Sequence, residues 1–592
     1  MRVSAIAILI MLAVFTMGTG VLVTSLYRVQ VNDVAAFRKS LERQATRRIS
    51  VPGRRGRILD RTGAILADCR PCRDLVCRLE CFQRGGARSN TVNAVAAELV
   101  RLGAAMHREL TISPAQIDRH LRESSALPLT VAGDLTDSEL ARFSERAIDF
   151  PGFSETLRYE RVYPNGMFAA HLLGYTGRGL PQTDTGDNVV HYYEDLEVKG
   201  RSGVEGYYDD YLAGAAGERL VRVDARGFRK DAGVVVREPE HGPDLRLTID
   251  SGIQHALERA LDGVSGAGVV LDPRDGAVLA MASAPTFNPD EWRRRHREYL
   301  TDSSRPLYNR AVSGLYPPGS IFKPITSLAA LKRYAADPDG LRWTSDSAYD
   351  CPGVFVYGTM RLHCWDRYGH GPINLRKAIE QSCNAYFCNL GLLIGTNALF
   401  STAYDFGLGA RTGIDLGGEA AGGVYGEPWY PGLVCQTAIG QGMLQVTPLQ
   451  MAVVCAALAN GGRIYTPYLH FRGTGEPAPR PARTVACASR DLELVRSGMR
   501  DVVEVGTGRR IRTRFGEGRE KYNLKVSCAG KTGTAERGRE RKDTWIIAFA
   551  PYDRPTIAIA MVVERGESGG KTTAPRVHQV LAYIFGEEGE GA

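Results

Sequence analysis

The sequence predicts an α+β protein: an antiparallel sheet covered by helices on both faces, preceded by an elongated domain and one membrane helix. Apolar, strand-like segments lie at both ends of the second half of the chain and enclose a helix-rich middle. The first half is loop-rich, and the break REPEHGPD separates it from the second. The N-terminal segment is apolar and uncharged. The predicted boundaries are 1–27 for the cytoplasmic N-terminus and anchor, 28–240 for the elongated domain, 241–586 for the sheet domain and 587–592 for a flexible tail.

The N-terminal segment is long enough to cross a membrane. Val3–Tyr27 carries no charged residue, and about 20 apolar residues span a hydrocarbon core of roughly 30 Å. The apolar run continues through VLVTSLY, beyond the short core of a cleaved signal peptide, which favours an uncleaved anchor. Arg2 and Arg28 flank the segment on both sides, so the charges do not decide its orientation. The segment Val31–Arg48 predicts a polar helix.

Composition limits the functional classes. The chain has 592 residues with 44% hydrophobic and 24% charged residues, which is ordinary for a globular protein of several domains. Its net charge of +8 comes from scattered arginines rather than one basic block, so we expect no nucleic-acid partner. Twelve cysteines are too few for a fold held together mainly by disulfides in a chain this long.

Short patterns predict the individual elements. In the sheet domain, LRLTID predicts a strand and SGIQHALERAL a helix. The segment GAGVVLDPRDGAVLAMAS predicts an antiparallel hairpin around its Asp-Pro-x-Asp-Gly turn. DTWIIAFAP and TIAIAMVVE predict a second buried strand pair, and VHQVLAYIF a closing helix. In the first domain, TVNAVAAELVRLGAAM has apolar positions at helical spacing.

A serine and a lysine stand one helical turn apart in YPPGSIFKPITSLAALK. The prolines and glycine place Ser320 at the start of a helix, where unsatisfied N–H groups favour developing negative charge. Lys323 lies on the same face. A serine hydroxyl needs a base to become a nucleophile, and a buried lysine of lowered pKa supplies one. The motif alone is weak, since Ser-x-x-Lys is expected about once by chance in a chain of this size.

Two further motifs strengthen the assignment. Ser382 and Asn384 follow a helix-like segment, and Lys531-Thr532-Gly533-Thr534 follows a strand-like one. The glycine allows a substrate to lie against the strand, while Lys531 and Thr532 can bind a carboxylate. Ser382 follows Ser320 by 62 residues, and Lys531 follows Ser382 by 149 residues. Ser-x-x-Lys, Ser-x-Asn and Lys-Thr-Gly in this order are typical of the penicillin-binding proteins and class A β-lactamases.

With these motifs the chain resembles the class B penicillin-binding proteins over roughly residues 1–585. RRGRILDRTGAILA, RVYPNGMFAAHLLGYTG and GRSGVEGYYDDYLAGAAG are similar to signatures of the membrane-proximal pedestal of that class. AIGQGMLQVTPLQMA is also similar to the family. YPPGSIFKP, the CPG…HCW…GHG block and MVVERGESGG resemble the elongation-type penicillin-binding protein 2 rather than its division-type relative.

The resemblance implies a peptidoglycan D,D-transpeptidase. Ser320 would attack the D-Ala-D-Ala carbonyl of a stem peptide with Lys323 as base, and backbone N–H groups of Ser320 and Thr534 would form the oxyanion hole. Ser382 would relay the proton to the leaving D-Ala, and Asn384 would orient the peptide. The terminal carboxylate would be bound by Lys531, Thr532 and Thr534, with Gly533 allowing close approach.

The resemblance also implies the surroundings of the enzyme. Its substrates would be stem peptides of the lipid-linked nascent glycan, and β-lactams would acylate the serine and remain there. The chemistry needs no cofactor. The protein would be a single-pass protein of the bacterial inner membrane with a periplasmic catalytic domain. Its partners would be a SEDS-family glycosyltransferase and scaffold proteins of the elongation complex.

Four alternatives share part of this pattern. A division-type transpeptidase has the same motifs, and a D,D-carboxypeptidase transfers the acyl group to water instead of an amine. A β-lactamase is normally a single smaller domain without a pedestal. A β-lactam-sensing receptor is not an enzyme and carries further membrane spans, which this sequence lacks.

Cys351, Cys364, His370 and Cys383 form a cluster whose spacing leaves three interpretations open. The first is a disulfide between Cys351 and Cys364, and the second is that the residues have unrelated roles. The third is a metal site, because three cysteines and one histidine are an accepted zinc ligand set, although the gaps between them are irregular. The resemblance favours metal, since some elongation-type members hold zinc at the corresponding block. It implies a structural zinc beneath the loop that carries Ser382.

An earlier cluster contains Cys69, Cys72, Cys77 and Cys81. This cluster departs from the family pattern. In an exported domain such spacing favours two disulfides over a second metal site.

Overall fold

The computed structural model describes residues 5–32, 45–83, 87–178, 191–193, 198–224, 226–231, 233–341, 343–424, 430–473, 479–516, 520–538 and 541–589. The predicted helix Val31–Arg48 lies mostly outside these ranges. The prediction is wrong at its end, because a strand begins at Thr46 and pairs with Gly217–Arg222.

The elements of the described residues alternate between helices and short strands. The α-helices are Ala5–Tyr27, Arg88–Met106, Pro114–Glu123, Asp137–Arg146, Ala170–Leu173, Gly203–Tyr207, Asp209–Ala213, Ser251–Ala260, Trp292–Thr301, Arg310–Ser313, Lys323–Ala336, Leu375–Glu380, Asn384–Asp405, Pro431–Ala438, Pro448–Ala459, Ser489–Glu504, Arg509–Arg512 and Ala574–Phe585. The strands outside the main sheet are Thr46–Val51, Ile58–Leu59, Ile65–Cys77, Leu129–Ala132, Phe153–Val162, Thr176–Arg178, His191–Tyr193, Val198–Gly200, Gly217–Arg222, Val234–Arg237, Leu245–Arg246, Tyr349–Cys351, Val354–Tyr357, Met360–His363, Gly371–Ile373, Gly423–Val424, Leu444–Gln445, Arg463–Ile464, Arg483–Thr484, Thr513–Phe515, Lys521–Leu524 and Glu587–Gly589.

The main sheet has five antiparallel strands drawn from both ends of the second domain. Their spatial order is Val278–Ala284, Gly266–Leu271, Ile557–Val563, Arg541–Ala550 and Ala529–Arg537. The predicted hairpin and the predicted C-terminal strand pair are therefore confirmed. They meet in the centre, where Val269 pairs with Ala560. This arrangement leaves Ala529–Arg537 as an edge strand, with one side available to a substrate.

Helices cover both faces of the main sheet. Pro448–Ala459 is buried along its whole length against one face. Ser251–Ala260 and Ala574–Phe585 pack on the other face, in a separate apolar cluster. A helix that is apolar all round is expected in the centre of a large domain, because it has no solvent-facing side. The predicted class, with helices on both faces of an antiparallel sheet, is confirmed.

The first domain contains more strand than its loop-rich sequence predicts. Ile65–Cys77 is a long strand that pairs along its length with Phe153–Val162. The helix Arg88–Met106, predicted from its periodicity, packs with neighbouring helices in a core of its own. LRLTID forms only a short strand, Leu245–Arg246, which pairs with Ile58–Leu59 of the first domain rather than with the main sheet. The predicted boundary at 240 stays a prediction.

A buried ion cluster joins the three pedestal signatures. Glu205 has 0% exposed surface. Its two carboxylate oxygens each accept a 2.6 Å hydrogen bond, one from Arg55 Nε and one from Arg161 Nε. Arg55 also donates to Asp209. Removing one member of such a cluster leaves an uncompensated buried charge. The sequence motifs locate these residues in the chain, but only the fold shows that they meet.

The two disulfides predicted in the early cysteine cluster are not formed in this structure, in which Cys69, Cys72, Cys77 and Cys81 are free thiols. Cys69 and Cys72 are three residues apart on one strand, so their side chains point to opposite faces. Cys69 contacts Arg55 O at 3.4 Å, and Cys72 contacts Glu160 Oε2 at 3.5 Å.

The predicted flexible tail is also wrong over its first three residues. Glu587–Gly589 forms a strand that pairs with Lys521–Leu524. Glu587 accepts hydrogen bonds from Arg514 and from the buried His578. These contacts hold the end of the described chain against the closing helix.

Candidate active site

Ser320 lies in a tight turn between two other parts of the catalytic domain. Gly319–Phe322 is a single 3₁₀ turn that leads into the helix Lys323–Ala336. Gly319 has a positive φ of 58°, and its N–H donates to Gly440 O at 2.7 Å. A Cβ at Gly319 would lie 3.0 Å from Thr534 O. The turn is therefore held against both the edge strand and the loop at Gly440. The N-terminus of the helix that follows lies near the edge strand.

Lys323 reaches from this helix to the second motif. Its Nζ donates to the backbone oxygen of Ser382 at 2.7 Å, to Ser382 Oγ at 3.3 Å and to Asn384 Oδ1 at 2.8 Å. The side chain has 0% exposed surface. Burial lowers the pKa of Lys323 to about 8, so a substantial fraction of the amine is neutral near physiological pH.

Ser382 is the meeting point of two lysines. Lys531 Nζ donates to Ser382 Oγ at 2.8 Å, and Lys323 Nζ lies 3.3 Å from the same oxygen. Ser382 has a positive φ of 53°, a conformation that residues other than glycine seldom adopt. Strained backbone of this kind often marks a functional position. Burial, followed by repulsion from Lys323, lowers the pKa of Lys531 well below its usual range.

The Lys-Thr-Gly segment forms part of the edge strand. Gly533 packs closely on the serine turn, because a Cβ there would lie 3.0 Å from Pro318 O. Thr532 Oγ1 shares a 2.7 Å hydrogen bond with Thr507 Oγ1. The Thr534 hydroxyl accepts from Gly569 N at 3.3 Å. The serine turn, the Ser382 loop and the Lys-Thr-Gly strand thus lie against one another.

Two residues of this site escaped the sequence analysis. Gln441 donates to Thr534 O at 3.3 Å. It lies inside the AIGQG segment, which supported the family resemblance but gave no role to this residue. Thr507 contacts Thr532 but belongs to no motif, so only the fold reveals it. Both residues fix the edge strand from its sides.

The Cys/His cluster adjoins the second motif, because Cys383 lies between Ser382 and Asn384. Cys351 Sγ and Cys364 Sγ are each 3.6 Å from His370 Nδ1, and Cys364 Sγ is 3.9 Å from Cys383 Sγ. Ligand atoms of these four residues all lie within 4.8 Å of one another. The three cysteines are buried. Cys351 and Cys364 are free thiols in this structure, and the sulfur of each contacts His370 Nδ1.

Two contacts connect this cluster to the catalytic motif. Cys383 Sγ accepts from Tyr386 N at 3.4 Å and so caps the helix Asn384–Asp405. Asn384 Nδ2 donates to the backbone oxygen of His363 at 3.3 Å, in the hairpin that leads to Cys364. The contact with the neighbouring Cys383 thiol lowers the pKa of Cys364, which favours the thiolate form that binds metal.

A buried carboxylate lies beside the edge strand. Asp543 pairs in register with Ala535, has 2% exposed surface, and has one oxygen, Oδ2, without a hydrogen-bond partner among the described residues. Arg537 lies 3.8 Å away, and Glu564 is a nearby like charge. Burial raises the pKa of Asp543 from 3.8 to about 6.

Asp543→Asn is expected to stabilise the protein at pH 7.5. The folded state binds more protons than the unfolded state between the two pKa values, so Asp543 costs increasing stability as pH rises from 3.8 to about 6. The amide removes this cost, and we expect the melting temperature at pH 7.5 to rise by a few degrees. Thermal unfolding between pH 4 and 8 checks this, with the exposed Asp553→Asn as control. An equal pH dependence in wild type and Asp543→Asn would contradict it.

Comparisons with known proteins agree with this geometry. Residues 266–582 match the penicillin-binding protein transpeptidase domain, and residues 50–247 match the penicillin-binding protein dimerisation domain. The peptidoglycan D,D-transpeptidase MrdA of Acinetobacter baumannii is 32% identical over 91% of this chain and 82% of its own length.

Two solved structures are similar over nearly the whole chain. One is the complex of the penicillin-binding protein PBP2 with MreC from Helicobacter pylori, with a TM-score of 0.75 and 26% identity over 91% of this chain and 98% of that one. The other is a peptidoglycan synthase complex described as coordinating polymerization and crosslinking, with a TM-score of 0.70 and 28% identity over 98% of both chains.

Proposed function

Because the chain belongs to the class B penicillin-binding proteins, which makes it a serine D,D-transpeptidase of the elongation type, we propose specific roles for the residues of its active site. Ser320 is the nucleophile and Lys323 is its base. The observation that carries this assignment is the convergence of Lys323 and Lys531 on Ser382, next to the serine turn.

Acylation begins when neutral Lys323 takes the proton of Ser320. The lowered pKa of Lys323 leaves enough neutral amine for this step near pH 7–8. The serine oxygen then attacks the carbonyl carbon of the penultimate D-Ala. Backbone N–H groups of Ser320 and Thr534 stabilise the oxyanion, and donors of this kind contribute about 2.7–4 kcal/mol each.

Ser382 carries the proton to the leaving group. Its hydroxyl lies between Lys323 Nζ and Lys531 Nζ, at 3.3 and 2.8 Å, which suits a relay from the first lysine to the departing D-Ala amine. Asn384 is held by Lys323 and by His363 O, and orients the substrate amide. The acyl-enzyme is then attacked by an amine of a neighbouring stem, which forms the cross-link and releases Ser320.

The terminal carboxylate of the donor binds beside the edge strand. Lys531, Thr532 and Thr534 supply the positive charge and hydroxyls, and Gly533 keeps the strand free of a side chain. A bound carboxylate favours the protonated form of Lys531, which burial alone disfavours. β-Lactams present a similar carboxylate and acylate Ser320.

Lys531→Ala is expected to reduce the rate of cross-linking by roughly 10²–10³-fold. The loss of one preorganised electrostatic contact has an effect of this size in other acyl-transfer sites. The assay uses lipid-linked nascent glycan and separates cross-linked dimers from free D-Ala. The exposed Lys525→Ala is a matched control and should retain the full rate. Release of D-Ala without dimers would identify a carboxypeptidase instead. Equal dimer formation by both variants would contradict the role of Lys531.

The Cys/His cluster is a structural zinc site in this proposal. Tetrahedral zinc with Zn–S of about 2.3 Å and Zn–N of about 2.0–2.1 Å requires S–S edges of about 3.8 Å and S–N edges of about 3.5 Å. The distances of 3.9 and 3.6 Å fit these edges. Cys351, Cys364, His370 and Cys383 would hold the ion, which would supply a structural cross-link and no chemistry of acyl transfer. Cys383 would then help to hold its neighbours Ser382 and Asn384 in place.

The position of the protein in the cell follows from its substrate. The helix Ala5–Tyr27 is long and apolar enough to cross a membrane. We propose a single-pass protein of the inner membrane with its catalytic domain in the periplasm, where nascent glycan is cross-linked. The similar structures contain MreC or a peptidoglycan synthase complex, which supports an elongation scaffold protein and a SEDS-family glycosyltransferase as partners.

A further inference from the structure

Two buried cysteines outside the metal cluster face each other behind the active site. Cys388 lies in the helix Asn384–Asp405, Cys435 lies in Pro431–Ala438, and each has 0% exposed surface. The Sγ atom of each residue is 3.8 Å from the backbone oxygen of the other. This reciprocal contact sets the pair apart from Cys455, whose thiol contacts Ala548 O instead.

The two helices approach each other unusually closely at this point. A Cβ at Gly391 would lie 2.5 Å from Ala438 Cβ. Gly391 is one turn after Cys388, and Ala438 is one turn after Cys435, so the close contact continues past the cysteines. A disulfide needs Cα atoms about 4.4–6.8 Å apart, and a glycine at a helix contact removes a side chain that would otherwise hold the two backbones further apart.

We propose that Cys388 and Cys435, which are free thiols in this structure, form a structural disulfide in the exported protein. Each thiol loses its hydrogen as the sulfur–sulfur bond forms. The two electrons and two protons reduce the disulfide of a thiol–disulfide oxidant to two thiols. The inference rests on the periplasmic position proposed above, because oxidising compartments form and keep such bonds. Cys351, Cys364 and Cys383 would not form disulfides while they bind zinc as thiolates.

The bond would join the two halves of the active site. One helix begins at Asn384, two residues after Ser382. The other ends at Ala438, whose backbone oxygen accepts from Thr326 Oγ1 at 2.8 Å. Gly440 follows, and its oxygen accepts from Gly319 N at 2.7 Å. A covalent link between the helices therefore fixes the second motif relative to the serine turn.

Peptide mapping of the exported full-length protein tests the proposal. The protein is denatured with a chelator and an alkylating agent, without reductant, and cleaved with trypsin. The peptides 378–411 and 412–463 carry the pair, together with Cys383 and Cys455. We expect these peptides to be joined and two hydrogens lighter than their sum, with Cys383 and Cys455 alkylated. Alkylation of both Cys388 and Cys435 in wild type would overturn the proposal.

Two variants assign the bond. Cys388→Ser should abolish the joined species, whereas Cys455→Ser should retain it. If Cys388→Ser fails to fold, fragmentation of the joined wild-type peptides decides between the cysteines. The same wild-type sample is labelled with fluorescent penicillin, so an absent disulfide in labelled protein contradicts only this proposal. Absent labelling in disulfide-bonded protein contradicts the proposed function alone.

Discussion

Replacement of Ser320 by alanine abolishes covalent labelling by a fluorescent penicillin in the mechanism proposed here. Removing a serine nucleophile costs on the order of 10⁶-fold in related acyl-transfer chemistry, so labelling should fall below detection. The hydroxyl is small and partly exposed at the turn, so we expect the melting temperature to change little. Gel fluorescence after a timed incubation measures the acyl-enzyme directly.

Ser401→Ala is the matched control for this experiment. Ser401 is an exposed serine on the helix Asn384–Asp405, with its hydroxyl bonded to Ala398 O of the same helix. This variant should label as fast as wild type. Persistent labelling of Ser320→Ala would assign the nucleophile to another residue and would remove the basis for the roles of Lys323 and Ser382.

Loss of the metal should have the second largest effect, on folding and acylation together. We expect about one zinc per chain in wild type and none in Cys383→Ser, because three remaining ligands bind much more weakly than four. Structural zinc contributes roughly 10–16 kcal/mol in small zinc-binding peptides, so we expect the melting temperature to fall by more than about 10 °C. Penicillin labelling should slow as well, since Cys383 lies between Ser382 and Asn384.

Elemental analysis measures the zinc content of each variant, and thermal unfolding measures its melting temperature. Cys487→Ser serves as control, because Cys487 is a partly exposed cysteine outside the cluster and should leave zinc content and stability unchanged. His370→Ala should behave like Cys383→Ser. Wild-type protein without stoichiometric zinc, or Cys383→Ser with full zinc, would end the metal assignment.

Local patterns predicted much of the catalytic domain. The hairpin around Asp-Pro-x-Asp-Gly and the apolar strand near 557–563 carry their signal in a few adjacent residues, and both occur as predicted. The three catalytic motifs have fixed spacing within each motif, so Ser320, Ser382 and Lys531 could be named from the sequence. Their convergence depends on the order of strands in the sheet, which the resemblance supplied and short patterns do not.

Other features depend on contacts between distant segments and were missed or mistaken. The pairing of Leu245–Arg246 with Ile58–Leu59 joins strands almost 190 residues apart, so local periodicity carries no signal for it. The buried Glu205 looks like any other acidic residue in sequence, and only the fold brings two arginines to it. The spacing of the early cysteines suggested disulfides of the kind found in exported domains, but Cys69 and Cys72 lie on one strand with their side chains on opposite faces.

Mass-spectrometric localisation of the acyl group tests the central assignment most directly. The protein is acylated with a penicillin, cleaved with trypsin and fragmented. The peptide that contains Ser320 also contains Ser313 and Ser327, which serve as internal controls. The proposed mechanism predicts one penicilloyl group per chain, on Ser320. A group on Ser313, Ser327 or any other residue, or no covalent adduct in folded protein, would contradict it.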